Sequence, residues 1–183
     1  DKVSKVYAVD YNQDLLGEVS LRYPSEKVFP IEADLRGSWQ EFNDLKVDTI
    51  VLMDVLEHFS NDREFLRKLK PLLNPNGIIA IKVPAHKTLF SSTDKASGHY
   101  RRYDPDDIDK LGSDLGLKSV STRQVNVLGN LAYRLKSNSE TNFSRTFSSF
   151  QLKLINALMP CIALMDYLPL LPGLSLVCVL RNI

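Results

Sequence analysis

Three apolar runs in this chain each stop on an aspartate: Val6-Tyr7-Ala8-Val9-Asp10, Phe29-Pro30-Ile31-Glu32-Ala33-Asp34 and Ile50-Val51-Leu52-Met53-Asp54. Strands of an open parallel sheet read this way, apolar because helices cover both faces. Their carboxyl ends are where doubly wound sheets bind ligands. The acids stand 24 and 20 residues apart, short for full strand-helix-strand units but feasible, and their spacing points to a nucleotide-type ligand. A length of 183 residues suits one compact domain. A net charge of +1 gives no case for bulk nucleic-acid binding. Cys161 and Cys178 lie in apolar surroundings and read as buried thiols in a reducing cytoplasm, not as a disulfide framework.

Along the chain, residues 5–10, 27–33, 48–53, 78–83, 118–127 and 174–181 read as strands. Helices are expected over 12–22, over 61–73 with Ser60 as N-cap, and from Pro105 to about Leu115, with a short one over 128–136. Asn74-Pro75-Asn76-Gly77 reads as a turn and 84–104 as a long polar loop of the kind that carries function. Residues 1–136 form the expected main domain. Residues 137–149 are a polar, flexible insert, and 150–183 supply an apolar helix and a last strand to the same domain.

Asp10 at a strand end offers two hydrogen-bond acceptors to a ribose diol, or caps the helix that Tyr11 and Asn12 open. Asp34 has the choice of an adenine amine or a solvated turn. The densest run is Asp54-Val55-Leu56-Glu57-His58-Phe59, where His58 is a candidate general base or a helix-start partner of Glu57.

Asp10, Asp34 and VLMDVLEHF, followed by LKPLLNPNGIIAIKVP, resemble a class I S-adenosylmethionine-dependent methyltransferase over residues 5 to about 126. The segment PAHKTLFSSTDKASGHYRRYDPDDI is similar to a bacterial subgroup with a His-x-Arg-Arg-Tyr signature, often associated with cell-surface saccharide or lipid pathways. The resemblance implies an α/β, Rossmann-like doubly wound sheet of seven mainly parallel strands. It implies that Asp10, with Tyr11 and Asn12, meets the ribose of S-adenosylmethionine, that Asp34 and Leu35 neighbour the adenine, and that Met53, Asp54 and Val55 flank the methionine part. His58 and then His99 are the expected bases. His86, Tyr100, Arg101, Arg102 and Tyr103 are the expected acceptor-binding residues, for a small-molecule, saccharide or lipid-linked acceptor with O-methylation favoured.

One departure stands out: the family's first strand and its Gly-rich loop have no counterpart in residues 1–9. A strand-plus-crossover unit of about 40 residues is therefore expected to be missing, and with it tight cofactor binding. A second reading gives Asp54-x-x-Glu57-His58 a divalent metal, as in similar ubiquinone-pathway enzymes, although no metal is the leading expectation. The apolar stretch 154–171 is too short and interrupted to span a membrane. It packs as core or lies against the inner face of a membrane as a peripheral contact. Two rival functions remain: a nicotinamide-dependent dehydrogenase or epimerase, against which Pro24 breaks the one Tyr-x-x-x-Lys pair (Tyr23, Lys27), and a non-catalytic partner that kept the fold.

Overall fold

The computed structural model describes residues 3–24, 26–130 and 172–183, with Ala157, Leu164 and Asp166 as single residues. The expected polar insert, most of the apolar stretch 154–171, Cys161 and the expected boundaries after residues 136 and 149 lie outside the described residues. The chain divides into two compact units, Asp1–Leu45 and Lys46–Ile183.

In the first unit β1 (Val6–Asp10) and β2 (Val28–Glu32) pair in parallel, with Asp10 opposite Glu32. Between them runs α1 (Gln13–Arg22), started by Asn12, whose side chain accepts from the amides of Asp14 and Leu15. Of the apolar residues expected on its inner face only Leu16 is buried.

The second unit carries β3 (Val47–Met53), α2 (Asp62–Leu69), β4 (Leu73–Pro84), α3 (Ser92–Ala96), α4 (Pro105–Asp114), β5 (Leu117–Val125) and β6 (Ser175–Asn182). Its sheet has the order β3-β4-β6-β5. β3 and β4 are parallel, whereas β6 runs antiparallel to both β4 and β5. Burial in β4 alternates: Ile79, Ile81 and Val83 are fully buried, with half-buried residues between them, and Ala85 just beyond the strand is fully buried too. Leu176, Cys178 and Leu180 of β6 and Ile108 of α4 are also fully buried. Each large side chain removed from water in this way contributes about 1.5–3 kcal/mol.

Four local expectations change. The helix after β3 is capped by Asn61, not Ser60. Asn61 accepts from the Glu64 amide at 3.0 Å, and the helix tightens to a 3-10 turn at Lys70–Leu72. Asn74-Pro75-Asn76-Gly77 is no free turn: Leu73 pairs with Val47 and Ile78 with Thr49, so the four residues bulge within β4, with Asn76 at φ 63°. Segment 84–104 is not structureless. It holds a 3-10 turn at Lys87–Leu89 and α3, started by a Ser91/Asp94 capping box. The helix expected from 128 opens at Val127, after Asn126 at φ 66°.

Candidate active site

At the carboxyl end of β3 the chain turns sharply. Asp54 sits at φ 54°, a left-handed conformation uncommon outside glycine, and such strain gathers at functional sites. Its amide donates to the Lys82 carbonyl at 2.9 Å, and its carboxylate is ion-paired with the Lys82 ammonium. The next turn, Leu56–His58, is anchored by Leu56, which is wholly buried.

Glu57 on this turn is also wholly buried, and neither carboxylate oxygen has a hydrogen-bond partner among the described residues. Burial first, and then the nearby Asp54 charge, push its carboxyl up to about 7, against partial relief from its own amide and from Lys82. The rings of His58 and His99 meet edge to face, 4.7 Å between centroids. One ligating atom from each of Glu57, His58 and His99 lies within 4.8 Å of the others, and neither histidine is buried.

The residues around His99 explain how a distant segment is brought to that turn. Gly98, at φ 77°, makes the reversal that ends α3. The His99 amide donates to the Asp94 carbonyl at 2.9 Å, and the Tyr100 amide to the Glu57 carbonyl at 2.8 Å. Arg101 donates to the Ser60 carbonyl and pairs with Asp62 at 2.8 Å. Arg102, almost fully buried, holds Asp94 at 2.9 Å and reaches the Ala85 carbonyl at 3.3 Å. Asp94 accepts as well from Ser91 and lies 3.3 Å from Nδ1 of His99. Burial acts to raise the Asp94 carboxyl, but the Arg102 guanidinium and the Ser91 amide hold it below the usual range. Tyr103 donates its hydroxyl to Asp62 at 3.0 Å; burial and that carboxylate raise its ionisation well above the phenol range, so it stays a donor. Arg101 thus pairs with Asp62 and Arg102 with Asp94.

Tyr100, Arg101, Arg102 and Tyr103 line a cleft of about 420 Å³ together with Lys87 and Phe90. Lys87 is paired with Asp107. Of the expected acceptor-binding residues, His86 is the one outside this lining: at φ 63° its Nε2 lies 2.9 Å from the Gly173 carbonyl. Glu57, His58 and His99 do not line it either. In the first unit, Asp10 accepts the Asn12 amide at Oδ1 (2.9 Å), while Oδ2 takes no hydrogen bond among the described residues. Asp34 is held by Arg36 at both oxygens, 3.0 and 3.3 Å, which lowers its carboxyl from the usual range. The same guanidinium lies 5.8 Å from the Tyr11 ring centroid, and the Leu35 carbonyl accepts from Trp39 at 3.0 Å. Met53 is half exposed and Val55 half-buried. Sequence reasoning read Glu57 as a helix-start partner of His58 or, in a second reading, as a metal ligand with Asp54 and His58; its burial leaves no mark in the local pattern.

Residues 1–122 match the methyltransferase domain family. The chain belongs to that family. A probable S-adenosylmethionine-dependent methyltransferase of Mycobacterium tuberculosis, found in two strains, is 28% identical over 119 residues, 64% of this chain and 42% of the relative. The chain therefore spans less than half the length of those curated relatives. Among solved structures, the complex of the Haloferax volcanii methyltransferase activator with a methyltransferase gives a TM-score of 0.62 at 12% identity, covering 98% of this chain and 72% of that one. The N-methyltransferase NodS of Bradyrhizobium japonicum, bound to S-adenosyl-L-homocysteine, gives 0.57 at 14% identity, covering 97% of this chain and 66% of that one. At these identities the structures establish the fold, the Rossmann-like α/β fold of class I methyltransferases.

Proposed function

We propose that the protein transfers a methyl group from S-adenosylmethionine to a hydroxyl of a small-molecule, saccharide or lipid-linked acceptor. The family match supports the reaction class, and the observation that carries the site is the juxtaposition of Glu57, His58 and His99 at the end of β3. The residues present fit the cofactor at its ribose: Asp10 ends β1 with one carboxylate oxygen uncommitted, as a diol requires. Asp34 would share its oxygens with Arg36, an exposed pair that is held only weakly. Tyr11 and Asn12 follow Asp10, and Leu35 follows Asp34, in the first unit; in the second, Met53, Asp54 and Val55 at the end of β3 are the residues the resemblance assigns to the methionine part. When bound, the cofactor supplies an electrophilic methyl on a sulfonium.

The chain's own part is alignment, which by itself removes much of a displacement barrier, and management of the hydroxyl proton. His58 accepts that proton, and His99, held through Nδ1 by Asp94, stands beside it as the second base. Tyr100 and Arg101 border the cleft from which an acceptor approaches. No helix among the described residues is long and apolar enough to cross a membrane. We place the protein in the cytoplasm, and a lipid-linked acceptor would bring it to the membrane's inner face.

The test is transfer of isotope-labelled methyl from S-adenosylmethionine to a panel of saccharide and lipid-linked hydroxyl acceptors. His58→Ala is expected to lower turnover by about 10²–10⁴-fold with cofactor affinity retained. Unchanged turnover removes His58 from the mechanism. Cofactor binding without transfer to any acceptor favours the non-catalytic partner.

A further inference from the structure

We propose that Glu57, His58 and His99 bind a divalent first-row transition-metal ion. Three observations meet here. Their ligating atoms already lie within 4.8 Å of one another, so small side-chain rotations bring them to the roughly 2.0–2.2 Å that zinc-type ions require. The Glu57 carboxylate is wholly buried with both oxygens unpartnered, and a buried carboxylate normally has a cation or donors to meet. Nδ1 of His99 lies 3.3 Å from the Asp94 carboxylate, itself fixed by Arg102 at 2.9 Å. That is the outer support of a ligating imidazole: the carboxylate takes one nitrogen and leaves Nε2 for the ion.

Two imidazoles and one carboxylate are a donor set for zinc, manganese, cobalt or ferrous iron, not for calcium or magnesium. Three protein ligands leave a coordination position open. The structure also changes which acid belongs to the set. Asp54, three residues before Glu57, is tied to Lys82, and the third ligand comes from His99, 41 residues after His58. The hydrogen bond from the Tyr100 amide to the Glu57 carbonyl pins that distant segment in place. This inference deepens the methyl-transfer reading and, for the ion's role, rests on it: with the ion bound, His58 and His99 are ligands and not bases, and the open position takes the acceptor's hydroxyl oxygen, whose proton then leaves to water more readily beside the ion's charge.

Metal-stripped protein is titrated calorimetrically with Zn²⁺ and, separately, Mn²⁺, and S-adenosylmethionine binding is measured on the same preparation. One saturable ion per chain is expected, with affinity at least tenfold weaker in Glu57→Gln and in His99→Ala. Asp94→Asn should weaken it by about 10–100-fold. Circular dichroism checks that each variant is folded, and the variants come from two segments, so either folded one suffices. No saturable uptake by the folded protein, or uptake unchanged in the folded variants, overturns the site. Ion uptake without cofactor binding leaves the site standing and removes the methyltransferase reading.

Discussion

Glu57 is a wholly buried carboxylate with no hydrogen-bond donor at either oxygen among the described residues, while Asp54 and Asp94 are each tied to a cation. An ionised group left that way costs stability in the metal-free protein. Glu57→Gln keeps the shape and removes the charge, so it should stabilise the metal-free protein at mildly alkaline pH by about 1–3 kcal/mol in urea denaturation. A loss of stability would mean that the carboxylate has a partner. Cys178 is the opposite kind of residue. Burial pushes its thiol up to about 11, with the hydroxyl of Thr122 opposing and Asp109 adding slightly. The neutral form is favoured in the folded state, so this group's contribution is present in full below the ordinary thiol range and lost as pH climbs toward 11. In the folded protein Cys178 should resist alkylation by iodoacetamide at neutral pH and react once urea unfolds the chain, read by peptide mass mapping. Rapid alkylation of the folded protein would contradict its burial. The strand-end acids and the Glu57-His58 pair were legible in sequence because type and position sufficed. That Glu57 is buried and Arg102 internal was not, since burial is decided by neighbours far along the chain.

Segment 84–104 shows at the level of elements why local pattern misled. Its polar residues read as a long loop free to meet an acceptor, yet several are spent on one another and on the turn after β3: Arg102 on Asp94, Arg101 and Tyr103 on Asp62, with the Tyr100 amide on the Glu57 carbonyl. Removing one member of a buried ion pair strands the other, so Arg102→Met should cost about 3–5 kcal/mol in urea denaturation and detach His99 from His58. A cost near zero would mean that the pair does not order the segment. The bulge in β4 was likewise hidden behind turn-type residues. A Cβ at Gly77 would meet the Asn74 carbonyl oxygen at 2.9 Å and that of Asp48 at 3.2 Å, backbone atoms with little room to yield. Gly77→Ala should therefore cost about 1–3 kcal/mol, read as a lower thermal midpoint; an unchanged midpoint would show that the bulge relaxes freely.

For the molecule as a whole, the sequence read correctly that parallel pairs with acids at their carboxyl ends underlie the fold, and the family match and structural neighbours agree. Less of the sheet is parallel than the strand pattern implies, because a strand running backwards has the same residue pattern as one running forwards: β6 is antiparallel to both its neighbours. The central claim, that this fold serves S-adenosylmethionine, is most directly tested by calorimetric titration of the protein with S-adenosylmethionine, wild type against Asp10→Asn. The account predicts weak but saturable binding of one cofactor per chain, since residues 1–9 carry no Gly-rich loop, weakened about 10–100-fold further by the loss of one charge-assisted hydrogen-bonding group at the ribose. No binding to the folded protein, or equal affinity in the Asp10 variant, would contradict it.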